Sequence, residues 1–141
     1  MIRLTIPIEP VEQARPRAVR MRRGVRLYDP AKVRNYKSEL ALRARMRYPS
    51  KPLTGPLKVT LRFYRHLQAS LTKKERALRL SGVHRPTVKP DTDNYIKSTL
   101  DGLNGLLWAD DNQIVDLVAS KFYSDNPRVE IEVEKIGESL D

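Results

Sequence analysis

L-K-V-T-L-R-F-Y, residues 57–64, sets Leu57, Val59, Leu61 and Phe63 alternately with Lys58, Thr60, Arg62 and Tyr64. A period of two over eight residues is the pattern of a strand with one face on a core and the other toward water. The Thr54-Gly55-Pro56 turn ahead of it marks where it starts. A sheet therefore needs a cover, and the flanking sequence supplies two helices. Upstream, Asp29 is placed as an N-cap and Pro30 as the first helical residue of a helix to about Arg47, with Val33, Tyr36, Leu40 and Ala44 on one face. Pro49 and Pro52 end it. Downstream, Ile96, Leu100, Leu103 and Leu107 step by four, three and four, which predicts a helix over residues 93–104 that Gly102 and Gly105 weaken at its end.

Further out, Ile2, Leu4, Ile6 and Ile8 alternate with Arg3, Thr5 and Pro7, a second strand with one buried face. Residues 114–123, a turn at Ser124-Asp125-Asn126-Pro127, and Val129, Ile131 and Val133 alternating with Glu130, Glu132 and Glu134 predict a C-terminal β-hairpin with the glutamates as a solvated face. Two stretches are less regular. Residues 12–28 form a basic arm or loose hairpin turning at Gly24. Residues 66–90 are a variable segment in which Thr72 and Glu75 have capping-box spacing ahead of a short helix ending near Gly82, followed by extended V-H-R-P-T-V-K-P. The order predicts an α+β fold, a small mixed β-sheet with two main helices, as one domain over residues 1–141.

Composition narrows the partners. The 141 residues carry a net charge of +10, and its distribution is uneven. Residues 1–90 hold 23 Lys and Arg against 5 Asp and Glu, whereas residues 91–141 hold 4 against 12. A field that positive over two-thirds of the chain favours a polyanion. No basic helix with a broad apolar face stands out, so nucleic acid is a better partner than a membrane surface. There is no cysteine, and His66 and His84 are the only histidines, both read as surface residues. A metal would therefore be held by oxygen. The start of the chain has neither the apolar run of a signal peptide nor one of membrane-spanning length, which predicts a soluble, cytoplasmic protein with no membrane partner. No organic cofactor is expected.

The second half concentrates its acids at P-D-T-D-N-Y-I-K, residues 90–97. Pro90 leaves Asp91 and Asp93 at a helix N-terminus, where free N–H groups and the helix dipole favour negative charge, an ordinary structural role. Asp93, Lys97 and Asp101 share a helical stripe. Asp110 and Asp111 lie in the connection 105–112 before the next strand, which is long enough to run back along the helix. If it does, three or four carboxylates converge and need a cation to stay ionised together. An all-oxygen cluster selects Mg²⁺, with Mn²⁺ as a substitute.

P-D-T-D-N-Y-I-K-S-T-L-D-G-L-N-G followed by L-W-A-D-D-N-Q-I-V resembles the signature of the RusA-type Holliday-junction resolvases. The arginine-rich arm, the helix start Y-D-P-A-K-V-R-N-Y-K and the strand at 57–64 fall in the family's order, so the resemblance covers nearly the whole chain. It implies a RusA-like dimeric fold and a Mg²⁺-dependent endodeoxyribonuclease that resolves four-way junctions in recombination and repair by paired symmetric nicks. It implies Asp91, Asp93 and Asp111 as metal ligands and catalytic acids, Asp110 as a further candidate, and Lys97 as the catalytic cation. Resolving a junction of near two-fold symmetry also implies a homodimer with two sites. Arg15, Arg17, Arg20, Arg22, Arg23 and Arg26, with Lys32, Arg34 and Lys37 on the first helix, are the expected phosphate contacts. Tyr28, Tyr36 and Trp108 are expected in the core or at hinges. The competing readings are a nuclease for a flap or fork, and a DNA-binding module without catalysis.

Overall fold

The computed structural model describes residues 1–137, so the expected single-domain span to residue 141 extends beyond the described residues. In chain order the elements are β1 (Ile2–Ile6), β2 (Arg17–Met21), β3 (Gly24–Tyr28), α1 (Ala31–Arg47), β4 (Leu57–His66), α2 (Lys73–Leu80), α3 (Thr92–Leu103), a 3-10 turn (Asp111–Gln113), β5 (Ile114–Ser124) and β6 (Arg128–Lys135). The class is α+β, as expected, with a mixed four-stranded sheet in the order β1-β6-β4-β5 and a separate two-stranded ribbon, β2-β3.

β4 lies inside this sheet, antiparallel to β6 and parallel to β5. Its odd residues Leu57, Val59, Leu61 and Phe63 are fully buried. They meet Leu4 and Ile6 from β1, Val129, Ile131 and Val133 from β6, and the inner faces of α1 and α3 in one core. Val33, Tyr36, Leu40 and Ala44 are the buried face of α1, as the spacing predicts.

The C-terminal hairpin is a correction. β5 and β6 form where expected but do not pair with each other, because β4 sits between them. Two strand spacings are about 9.6 Å, and the connection through residues 125–127 is long enough to cross the end of β4. A turn sequence of this length suits either arrangement. Burial decides between them: β4 is apolar enough to need neighbours on both sides, whereas Val115, Asp116, Leu117 and Val118 of β5 are exposed at the sheet edge.

Three smaller corrections follow from packing. Asp29 does not cap α1; Pro30 occupies that position with no side-chain cap, and the Asp29 carboxylate instead accepts hydrogen bonds from Gln13 Nε2 at 2.9 Å and Lys37 Nζ at 2.7 Å. Gly102 does more than weaken its helix, since a Cβ there would lie 3.3 Å from Lys37 Cα and 3.2 Å from Leu40 Cδ2; its absence lets α3 approach α1 closely. Across that contact Tyr36 Oη and Thr99 Oγ1 share a buried hydrogen bond of 2.8 Å. Finally, Glu130 and Glu132 are not free in solvent. Both accept from Arg62 at 2.7 Å, so the open face of the sheet is ion-paired.

Candidate metal centre and nucleic-acid interface

Asp91 is the N-cap residue of α3 and makes no side-chain cap hydrogen bond. Its carboxylate is therefore not committed to holding the helix start. Asp93 follows in the first turn, and Lys97 reaches back toward it at 3.9 Å, with both side chains about two-thirds exposed. This end of α3 is held from three sides. Lys121 of β5 donates to Pro90 O at 2.9 Å, Arg65 of β4 donates to Lys89 O at 2.8 Å, and the Gln13 N–H donates to Asn94 O at 2.8 Å. The exposed acids thus stand on a backbone fixed by the sheet.

Asp110 and Asp111 occupy the opposite end of α3. Asp110 caps the 3-10 turn, its side chain accepting from Asn112 N at 2.9 Å. Asp111 Oδ1 accepts from the indole N–H of the fully buried Trp108 at 2.6 Å. Burial pushes the Asp111 carboxyl above its ordinary range and neighbouring Asp101 and Asp110 add to this, while the Trp108 hydrogen bond opposes it. An aspartate with a raised folded pKa prefers to be protonated in the native state, so its ionisation costs stability above that pKa, and the cost disappears as pH falls through it. Asp111→Asn keeps an oxygen for Trp108 and removes the charge. Its melting temperature is expected to exceed that of the wild type at pH 7, with the difference shrinking toward acid pH; thermal unfolding across a pH series checks this.

The two acidic ends do not meet within one chain. α3 has 12 residues, about 18 Å at 1.5 Å per residue. From Ile114 to Lys121 along β5 is about 23 Å. Among the described residues, no group of three or more His, Cys, Asp or Glu is gathered closely enough to hold a metal ion. The return of residues 105–112 along α3 is therefore overturned. Gly105, with φ +82°, donates through its N–H to Trp108 O at 2.8 Å, and Trp108 bridges to both Asn104 and Leu53. The buried indole closes the connection on itself at the helix's C-terminal end. Trp108, expected in the core or at a hinge, is fully buried, and it also positions Asp111. Its sequence signal was a tryptophan three residues before an aspartate, since a buried indole N–H needs an acceptor.

On the basic side, Arg15, Arg17, Arg20, Arg22, Arg23 and Arg26 are all exposed, as are Lys32 and Arg34. Lys37 is different. Its ammonium lies between Asp29 and Asp101, at 2.7 and 2.6 Å, and its side chain is only 15% exposed. It ties α1 to α3, with its charge shared between two carboxylates, unlike the exposed cations around it. Asp101, which the sequence reading placed only on a helical stripe, is its partner.

Exposed carboxylates and a lysine thus stand at one helix start, tied through Gln13 to the segment that carries the exposed arginines. The class is that of the endodeoxyribonucleases: the family model described as Endodeoxyribonuclease RusA matches residues 7–134. The chain belongs to this family of junction-resolving nucleases. A Bacillus subtilis (strain 168) protein described as "Uncharacterized protein YqaN" is 42% identical over 138 residues, covering 96% of this chain and 97% of that protein. No helix among the described residues is long and apolar enough to cross a membrane.

Proposed function

We propose that this protein is a divalent-metal-dependent endonuclease that resolves four-way DNA junctions as a two-fold homodimer, with each metal site shared between two chains. The observation that carries this reading is where the acids sit: at opposite ends of α3, which lies beside the unpaired edge strand β5. Val115, Leu117 and Val118 on that strand are 59%, 41% and 48% exposed. An exposed apolar edge is a template for pairing with a second strand.

In a sheet continued across a two-fold axis, each face of one copy continues the same face of the other, so β5 pairs antiparallel with its own copy in a register that keeps side chains on their own side. Centring on Leu117 sets it against the partner's Leu117, Val115 against the partner's Ala119, and Lys121 against the partner's Gln113. Lys121 holds Pro90, the residue before Asp91. This register therefore carries the partner's Asp111 to the end of β5 where Asp91 and Asp93 stand, and does so twice by symmetry. The donors that are apart in one chain become neighbours in two.

Mg²⁺ bound there, with Mn²⁺ as a substitute, would supply charge neutralisation at the phosphodiester and a more acidic water. The chain's own contribution is to hold the acids rigidly. Asp111 is fixed by Trp108, and Asp91 and Asp93 by the segment that Lys121 and Arg65 pin. Asp110 stands beside Asp111 as a further ligand candidate. Lys97 presents an exposed cation one helical turn from Asp93, where it would stabilise charge on the transferring phosphoryl group. The exposed arginines of residues 15–26, with Lys32 and Arg34, would grip the arms by their phosphates.

The test is cleavage of an end-labelled four-way junction and an equally long flap, each with Mg²⁺ or EDTA, mapping nicks on every strand. Paired nicks placed symmetrically about the junction centre, absent with EDTA, are expected. Equal cutting of the flap would assign a different branched substrate, and junction binding without nicks at any metal concentration would leave a DNA-binding module.

A further inference from the structure

The ribbon β2-β3 differs from the other strand pairs among the described residues. Its strands pair with each other from Arg17↔Tyr28 to Met21↔Gly24, yet neither makes more than glancing contact with another helix or strand. From Arg17 through Leu27 every residue is exposed. A lone two-stranded hairpin is marginal in water. Its side chains do not sort into an apolar and a polar face. Val19 and Met21 share one face with Arg17 and Arg26, whereas Val25 and Leu27 share the other with Arg20. Val19, Met21, Val25 and Leu27 are 40%, 49%, 64% and 66% exposed.

A surface built this way fits neither a protein core, because arginine interrupts both faces, nor a purely ionic partner, because apolar side chains do. No acidic residue occurs between Gln13 and Tyr28, so the complementary charge is negative. Branched DNA offers both kinds of surface at one place: phosphates converging on the crossover, and base faces exposed where stacking is interrupted. The ribbon is also correctly rooted for this. Gln13 bonds through its backbone N–H to Asn94 in the first turn of α3, and through its side chain to Asp29 beyond the ribbon's far end. Both feet of the ribbon are thus tied beside Asp93. Five-residue strands extend about 17 Å from there, and Gly24, at φ +94°, closes a tip that carries Arg22 and Arg23.

We infer that this ribbon is the branch-sensing element: it enters the open centre of the junction, its arginines on the converging phosphates and Met21 and Val25 against unstacked base faces. Apolar wedges that part base steps are an established device of DNA-bending proteins. Here the wedge would separate branched from linear DNA, since the arginines alone bind both. The inference rests on the junction-resolving reading above.

The double variant Met21→Ser, Val25→Ser tests it, because both side chains are exposed and the arginines stay. Binding is measured in EDTA, so cleavage plays no part, on a four-way junction and a linear duplex of equal length, each carrying aminopurine at the central positions. Wild-type protein is expected to raise aminopurine fluorescence in the junction only. The variant should lose that rise and bind the junction about tenfold more weakly, some 1.4 kcal/mol, while its duplex affinity stays within about twofold because that term is ionic. Equal weakening on both DNAs, or an unchanged fluorescence rise in the variant, overturns the inference. A shift of the variant from dimer to monomer in sedimentation also overturns it, by showing that a second copy covers the ribbon. Wild-type protein that fails to prefer the junction would instead sink the resolving activity itself, so the two failures are separable.

Discussion

Mixing Asp91→Asn protein with Asp111→Asn protein is expected to restore nicking that neither variant has alone, because the proposed dimer builds each site from two chains. In the proposed dimer, each pure variant would carry its lesion in both shared sites. In a mixed dimer, one site combines both lesions, and the other combines the intact Asp91 and Asp93 of one chain with the intact Asp111 of the other. Random exchange makes about half of the dimers mixed, each with one working site, so nicking should return to about a quarter of the wild-type rate. The product should also change character. A junction nicked once is not resolved, and nicked four-way species should accumulate in place of linear duplexes. Co-expression with two affinity tags, followed by strand-specific mapping, checks both. If a site were built within one chain, one chain of the mixed dimer would lack Asp91 and the other Asp111, and no activity would return.

Leu117→Arg is expected to separate the chains and silence cleavage. With β5 paired on its own copy about Leu117, the two introduced guanidinium groups would face one another across the axis. At about 5 Å and an effective dielectric constant of about 20, their repulsion is about 3 kcal/mol. Loss of the leucine contact adds about 1–2 kcal/mol, so dimer affinity should fall by roughly 10³-fold. Sedimentation at micromolar concentration reads the monomer, and cleavage should drop more than about a hundredfold, since the proposed site needs acids from both chains. Leu117 is part-exposed in the single chain, so the fold should persist, with circular dichroism as the check. A charge-swapped pair decides the matter: Leu117→Glu should also be monomeric and inactive, and mixing it with Leu117→Arg should restore dimer and nicking together. A monomeric variant that still resolves junctions would remove the shared site.

Much of the fold was legible because local sequence carries it. The alternation at residues 57–64 marked β4 and its buried face, and apolar steps of three and four marked α1 and α3 to within a residue or two. Strand pairing was not legible. Alternation states which face of β5 and β6 turns inward, but nothing in either strand names its neighbour, and the short 125–127 connection serves a hairpin or a crossing of β4 equally well. Asp29 failed as a cap for a related reason. Its sequence position suits capping, but Gln13 from before the ribbon and Lys37 further along α1 take its carboxylate instead.

The acidic motif shows the same division. From the sequence alone came the identity of the acids, the absence of thiolate ligands, the basic first half and the family resemblance, because these depend on which residues are present and how closely they follow one another. The tertiary structure decided that Lys37 of α1 pairs with Asp101 of α3 and that Asp91 and Asp111 stand a helix length apart. Those are distances between segments remote in the chain. They are set by how a rigid helix and an extended strand lie against each other, and no local pattern of residues encodes them.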